Sequence, residues 1–558
     1  MKKNDFPTEV LDLTIESIDH DGFGYAHYIH APDRGSNGKR LNVFVTNVVP
    51  GDKVRVTIKN AKGRGRAIVE YDELLEAGPS RNLEISTELG KSGGAPLQYM
   101  LYPDQLKFKS NMVKKYLEEQ GFDKDLVLPI IGLDDPTRYR NKMELSFGKD
   151  GGIGMFQQGN FKKVIDLEDS ILMPKVMVEI KHAVSQWQQD HKLSGYDKET
   201  EKGLLRNLLL RKSFATGELM VVIYATQPAS DFENEVADLS KRLNEKFEML
   251  KSLQWVEHAE ATERLQSDSI DVISGRDFIN EELNGFKYRI WPDTFFQATP
   301  VQAEKLVELA MDMAEVDENM RVLDLFCGVG TFSLPLAKQS KALAGIEIVE
   351  NSIQSAILNA KDNNIDNTYF MTSDARSGLL KLKEEWGLPD LLLLDPPRSG
   401  AGGKVMRSIG RFGTDKIIYV SCSPKSLAED LVWLRQFNYE LVSVQPVDQF
   451  PHTTHVETVV LLSQQKPNDR IAVDLDLDEL DATSAETKAT YVEIKDYVLK
   501  EHGLKVSNLN ISQVKRKCGI EVGENYNLAK SEDSKQPNCP EEKEKAIVEA
   551  LKHFGMIG

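Results

Sequence analysis

From Thr299 onward the chain alternates helix and strand, and this rhythm limits the fold more than any other feature of the sequence. PVQAEKLVELAMDMA has helical spacing. RVLDLF, ALAGIEI, TYFMTSD, LLLLD, KIIYVSC and LVSVQPV are short apolar runs of strand length, mostly separated by helical segments, and ETVVLL supplies a last strand. Strands that are apolar on both faces and alternate with helices pair in parallel within a doubly wound α/β sheet. Such a sheet binds its ligands in the crevice outside the carboxyl ends of the strands.

Residues suited to chemistry stand at those ends. In LDLFCGVGTFSLPLA, Gly328 and Gly330 allow a tight turn and close backbone approach to a ligand at a helix N-terminus. Glu347, 23 residues past Asp324 at the end of the next strand, is placed to bind ribose hydroxyls, and Asp374 ends the third strand, where an adenine amino group can be met. Thr331-Phe332-Ser333 follows the second glycine where dinucleotide folds carry GxGxxG, which favours S-adenosylmethionine over NAD. Asp395-Pro396-Pro397-Arg398 ends the fourth strand. Amino-methyltransferases carry an aromatic residue where Arg398 stands, so methylation of an exocyclic amine loses ground.

Cys422, in IIYVSCSPKSLAEDL, is a thiol at the end of a further strand. C5 of a pyrimidine accepts a methyl group only after a thiolate adds to C6, and a base must then remove the C5 proton. Cys422 supplies the thiol, and the helix after Pro424 is expected to lower its pKa. FPHTTHVETVVLL supplies His452, His455 and Glu457, of which Glu457 is the candidate base. Two histidines and a glutamate also suit a metal, but no further ligand has fitting spacing, so none is expected. Cys327 reads as a buried thiol within the cofactor loop; Cys518 and Cys539 give no sign of reactivity.

At 558 residues the chain needs several cores. Residues 1–75 read as a small β-barrel with basic residues Arg34, Lys39, Arg40, Lys53, Arg55, Lys59, Lys62, Arg64 and Arg66 on its turns and outer positions, an RNA contact or a solvated face. The segment from Tyr102 to Gly121 is a helix, and 129–292 an α+β middle domain expected to contact RNA. The tail, 466–558, is an acidic linker with two or three helices; Lys515, Arg516 and Lys517 fit a small RNA-facing module or a solvated helix face equally. A net charge of −18 cautions against nucleic acid, although phosphate contact is local. With no long apolar run and no apolar leader after Met1, a cytoplasmic protein outside the membrane is expected. Four dispersed cysteines fit a reducing compartment.

In their order, LDLFCGVGTF, LLLLDPPRSG, YVSCSPKSLAEDL and FPHTTHVETVVLL closely resemble the motifs of RNA uracil-C5 methyltransferases, and the resemblance covers roughly residues 8–465. It implies a Rossmann-like class I methyltransferase domain (96–128 and 293–465), S-adenosylmethionine as cofactor, Cys422 as nucleophile and Glu457 as proton acceptor. The N-terminal barrel resembles the TRAM domain of ribosomal-RNA members. Gln297 falls on a position at the cofactor and target base, with Thr299 where relatives have Asn. Phe326, Thr331, Glu347, Asp374 and Asp395 fall on cofactor positions, Gly328 and Gly330 lie in the same loop, and Arg398 is assigned to the substrate. Many relatives hold an iron–sulfur cluster through Cys-Gly-Gly-Cys; here the segment is Ser92-Gly93-Gly94-Ala95, and no cluster is expected. Ser423 replaces a common Asn and keeps hydrogen-bonding capacity. The expected protein is thus a monomer that methylates a uridine of 23S ribosomal RNA. Transfer RNA as substrate, methylation of an amine or of DNA, and a non-catalytic RNA-binding assembly factor are the alternatives.

Overall fold

The computed structural model describes residues 9–30, 39–58, 66–85, 93–259, 269–465, 491–518, 520, 539–554 and 556–557. It divides into two compact units, Met1–Lys466 and Pro467–Gly558. Among the described residues no helix is long and apolar enough to cross a membrane.

In the first unit, seven short strands between Glu9 and Glu76 form a three-stranded and a four-stranded sheet. Alternate residues of both, including Leu13, Val43, Val54 and Val56, point into one shared core. The expected basic cluster is only partly visible: Arg34, Lys59, Lys62 and Arg64 lie outside the described residues, as do the side chains of Lys39 and Arg40. Arg55 is engaged by Asp12 and Glu73, and Arg66 lies 4.2 Å from the Phe44 ring centroid.

A second sheet, of seven strands from Lys142–Phe147 to Ser269–Gly275, carries helices Lys175–Asp190 and Glu233–Lys246 against one face, where Trp187, Val184 and Leu243 are fully buried. Its other face, with Leu209, Met220 and Val222, shares a core with helix Pro300–Ala314 and the third sheet.

The third sheet has the order Thr368–Thr372, Ala342–Glu347, Arg321–Leu325, Leu391–Leu394, Lys416–Ser421, Glu457–Gln464, Tyr439–Val447. The first five strands are parallel, as the helix–strand rhythm requires. The strand order reverses between Arg321–Leu325 and Leu391–Leu394, which makes that edge a switch point for ligand binding. Glu457–Gln464 instead inserts antiparallel beside Lys416–Ser421. No helix intervenes between the last two strands, so they form a hairpin closed by residues 448–456. The inversion has a direct consequence. A parallel strand would place Glu457 at the far edge of the sheet; an antiparallel one places it at the crevice.

Helix Tyr102–Glu119 lies outside this sheet. It buries a stripe at four-residue spacing: Gln105, Lys109, Val113 and Leu117. Val113 and Leu117 pack in one core with Leu427 and Leu431 of helix Pro424–Arg435. The polar half of the stripe meets the 448–456 loop.

The second unit contains helices Tyr491–His502, Asn508–Lys517 and Glu541–His553 around a core of Ile494, Val498, Ile511, Val514, Ile547 and Leu551. Lys515 is buried and Lys517 pairs with Glu544, so the triad with Arg516 does not make one open basic face.

Candidate active site

Cys422 and Glu457 are brought together by strand register. Lys416 pairs with Ser463 and Ser421 with Thr458, so the register carried one step past the strand end points Cys422 toward Glu457, whose charge acts on the thiol. Directly opposed residues hold their Cβ atoms about 4.5–5.5 Å apart. Glu457 is 5% exposed. Burial pushes its carboxyl up to about 8, with Asp395 adding to the rise and Arg398 opposing it. Asp395, the first residue after Leu391–Leu394, is held at about 7 by burial and by the charge of Asp324.

The thiol differs from expectation. Burial, then the carboxylates of Glu457 and Asp395, push Cys422 up to about 12, and Arg398 only partly counters them. Burial, with the two facing carboxyl groups, raises this sulfur despite its place before a helix N-terminus. Its turn is nonetheless well built: Ser423 caps helix Pro424–Arg435 by accepting from the Ser426 backbone N–H, and Ser426 Oγ donates to the Arg398 carbonyl at 2.8 Å. Asp430 accepts from the Ala401 and Gly402 backbone N–H groups and from the Tyr419 hydroxyl. The cysteine turn and the Asp395–Gly402 loop are therefore fastened to one another.

The crevice beside them is shaped for a cofactor. Phe326 has φ of 70°, a left-handed conformation costing a non-glycine residue about 1–2 kcal/mol. The bend turns the Phe326 and Cys327 N–H groups onto the Ile346 carbonyl and leads into Gly328 and Gly330, both at positive φ. A Cβ at Gly328 would meet nothing within 4 Å, so the backbone there faces open space. Thr331 follows in this loop, and its carbonyl accepts from Tyr288. Glu347 closes its strand and accepts from the Val349 N–H. Asp374 lies two residues past Thr372, exposed, and caps the next helix through Oδ1. Cys327 is buried, its thiol pushed far up.

Asp324, which the sequence alone did not mark as a site residue, is 1% exposed and pushed to about 7 by burial; one oxygen accepts from Ser333, and Oδ1 has no partner. Buried carboxylates with an unsatisfied oxygen beside an open glycine turn suit a cofactor bearing cationic sulfur and ammonium groups.

Residues 448–452 form no regular element, yet their backbone carbonyls are bonded in sequence. Gln302 Nε2 donates to Asp448 O, Thr299 Oγ1 to Gln449 O, Lys109 Nζ to Phe450 O, Tyr139 OH to Pro451 O and the Leu97 N–H to His452 O. Lys109 also forms an ion pair with Asp448 at 2.5 Å, both side chains being 0% exposed. Gln105 Oε1 accepts from the His452 N–H, while its Nε2 lies 3.1 Å from His452 Nδ1. Gln297, 8% exposed, accepts from Gln449 Nε2, and its own carbonyl accepts from Asn141. Thr299 thus makes a polar contact in the position where relatives carry Asn.

His452 and His455 serve different partners, Gln105 and Arg398, and burial holds both imidazoles down at about 4, so they are neutral at pH 7. Gly93 and Leu97 tie their segment to Phe156 and His452, and Ala95 is packed in the middle core. Ser92 lies outside the described residues.

The raised carboxyl of Glu457 carries a stability consequence. Between about pH 4.5 and 8 the folded protein keeps a proton that the unfolded chain has lost, so stability falls as pH rises through that window, and the cost is complete above 8. Glu457→Gln removes the cost. By differential scanning calorimetry the variant should melt on the order of 5 °C above wild type at pH 9 and level with it near pH 4. A variant that is less stable at pH 9 would contradict this.

Comparison with known proteins places these features among relatives. The family described as tRNA (uracil-5-)-methyltransferase matches residues 102–465. An uncharacterized RNA methyltransferase of Halalkalibacterium halodurans is 32% identical over 468 residues, covering 83% of this chain and 98% of its own. Another, of Clostridium tetani, is 32% identical over 426 residues, covering 76% and 92%. The crystal structure of Pyrococcus abyssi tRNA (uracil-54, C5)-methyltransferase with S-adenosyl-L-homocysteine is 25% identical with a TM-score of 0.61, covering 81% of this chain and all of the other.

Proposed function

Because the chain belongs to the tRNA (uracil-5-)-methyltransferase family and is an S-adenosylmethionine-dependent RNA methyltransferase acting at uracil C5, we propose that Cys422 and Glu457 carry the reaction on 23S ribosomal RNA. The register that opposes Cys422 to Glu457 at the crevice carries the proposal.

On this reading the target uridine is extruded into the crevice, since its C5 and C6 must be reached from the ring face. Cys422 gives its proton to the facing carboxylate of Asp395, and its sulfur bonds to C6, moving electron density onto C5 and the C4 oxygen. S-adenosylmethionine, when bound, supplies the methyl group that C5 takes up. Glu457, entering the reaction in its charged form, removes the C5 proton; the C5–C6 double bond re-forms, and the C6–S bond breaks to release Cys422. Gln297, Phe326, Gly328, Gly330, Thr331, Glu347, Asp374 and Asp395 are assigned to the cofactor, with Asp324 added beside them. Arg398, 3.5 Å from His455 Nε2, and Gln297 are assigned to the target nucleotide.

Support for ribosomal RNA comes from the β module between Glu9 and Glu76, which suits a structured substrate. A second reading, transfer RNA, is favoured by the Pyrococcus abyssi enzyme: the similarity takes in 81% of this chain, more than residues 102–465 amount to, so the likeness to a transfer-RNA enzyme extends beyond the family match. Radiolabelled cofactor with ribosomal and transfer RNA from cells lacking the protein separates the two. The expected result is labelled 5-methyluridine in 23S RNA; label confined to transfer RNA would replace the substrate, and label on neither would overturn the activity.

A further inference from the structure

In the middle sheet a cleft of about 690 Å³ opens between strands Lys142–Phe147 and Asn160–Asp166 and the 196–207 segment. Its walls combine cations with two aromatic rings. Lys198 Nζ is 4.4 Å from the Phe156 ring centroid, and the Arg206 guanidinium is 4.5 Å from that of Tyr196. Lys149 and Lys163 also line it, exposed, and form no ion pair among the described residues.

The acids of the cleft are largely committed to internal bonds. Asp166 pairs with Lys181 and accepts from the Ile153 N–H, Glu199 pairs with Lys162, and Asp197 accepts from the Glu199 N–H and Thr200 hydroxyl. Asp150 remains. The balance toward an incoming anion is therefore positive, within a chain whose net charge is −18.

The cleft lies on a sheet face that leads toward the candidate active site. Ser146 and Asn207 line it on the sheet face that carries Leu209 and Arg211. Arg211 Nη2 donates to the carbonyls of Pro292 and Thr294, just before Gln297. Four residue steps of strand run from Asn207 to Arg211, about 13 Å, a span that a few nucleotides of unpaired RNA bridge. Lys142 is paired with Arg211 in register and pushed down to about 8 by burial and by Arg211, and Glu144, opposite Leu209, lies between Lys142 and Ser146.

We propose that this cleft binds an unpaired nucleotide of the RNA substrate a few positions from the target uridine, the base stacking on Phe156 or Tyr196 and its phosphates meeting Lys149, Lys163 and Lys198. The proposal rests on RNA being the substrate, and its test reads binding without turnover. Protein that binds through the cleft yet makes no 5-methyluridine would count against the reaction alone.

The test uses the full chain, a fluorescein-labelled dodecauridylate and the variant Lys149→Glu/Lys163→Glu/Lys198→Glu. The dissociation constant should rise about tenfold or more, and the slope of log affinity against log salt should shrink by about 2, one phosphate contact per lysine. Affinity for S-adenosylhomocysteine and the melting temperature should stay at wild-type values. In wild type, a 4-thiouridine in the same oligonucleotide should photo-crosslink within residues 146–207, which keeps the test valid if the variant folds poorly. A dissociation constant within twofold of wild type, absence of wild-type binding, or crosslinks confined to other segments would overturn the proposal.

Discussion

Glu457→Gln is expected to accumulate a covalent protein–RNA adduct while release of 5-methyluridine falls by about 10²–10⁴-fold, the usual worth of a positioned general base. The amide keeps the shape of the carboxyl but takes no proton from C5, so the reaction halts after the Cys422–C6 bond has formed. Cys422→Ala should give neither adduct nor product. The pair separates nucleophile from base: two dead variants without adduct in either would leave Glu457 as a mere neighbour of the thiol. Because Glu457 rises to about 8 and Cys422 to about 12, wild-type kcat/KM should climb between pH 6 and 9. The thiol must be deprotonated and the base charged, and both states gain with pH. Adduct formation by Glu457→Gln should keep only the thiol's part of that rise. Stopped-flow trapping across pH measures it, and a profile falling with pH would contradict these roles.

The second large effect lies outside the sheet. Lys109→Met leaves Asp448 buried without its cation, and breaking such a pair costs about 3–5 kcal/mol. The same change removes the donor to Phe450 O and loosens the loop that presents Glu457. Urea unfolding should show the loss, and kcat should fall at least tenfold with cofactor affinity unchanged. Adding Asp448→Asn to Lys109→Met removes the unpaired charge and should restore much of the stability, while kcat stays low because the Phe450 carbonyl still lacks Lys109. Full recovery of kcat in the double variant would make the pair a matter of stability alone.

How much of this was legible in the sequence follows from what each feature depends on. The third sheet was, because apolar runs alternating with helices admit few other arrangements, and the pairing of Cys422 with Glu457 was visible as chemistry. That the two face each other depended on one inverted strand, which local pattern does not encode. The middle sheet was read in part: strands Asn160–Asp166, Leu250–Glu257 and Ser269–Gly275 were not singled out, their polar residues blurring the alternation. The hairpin Ile279–Leu283 and Phe286–Ile290 carries a plain signal, Asn284-Gly285, both at positive φ. Gln105 and Lys109 were missed because polar residues on a helix suggest a solvated face. Their spacing of four from Val113 and Leu117 was the available clue. The expected fall in the Cys422 pKa failed because helix proximity can be read from sequence, whereas the burial of the sulfur, and the two carboxylates that add to it from distant strands, cannot.

The central claim, a covalent adduct through Cys422 resolved by Glu457, is tested most directly by a substrate RNA carrying 5-fluorouridine at the target. Sulfur addition and methyl transfer can proceed, but C5 then bears fluorine in place of the proton that Glu457 removes, and the adduct cannot collapse. Mass spectrometry after nuclease and protease digestion should find the nucleotide, with its added methyl group, on the peptide containing Cys422. An adduct on another residue, or methylated RNA without any adduct, would contradict the mechanism.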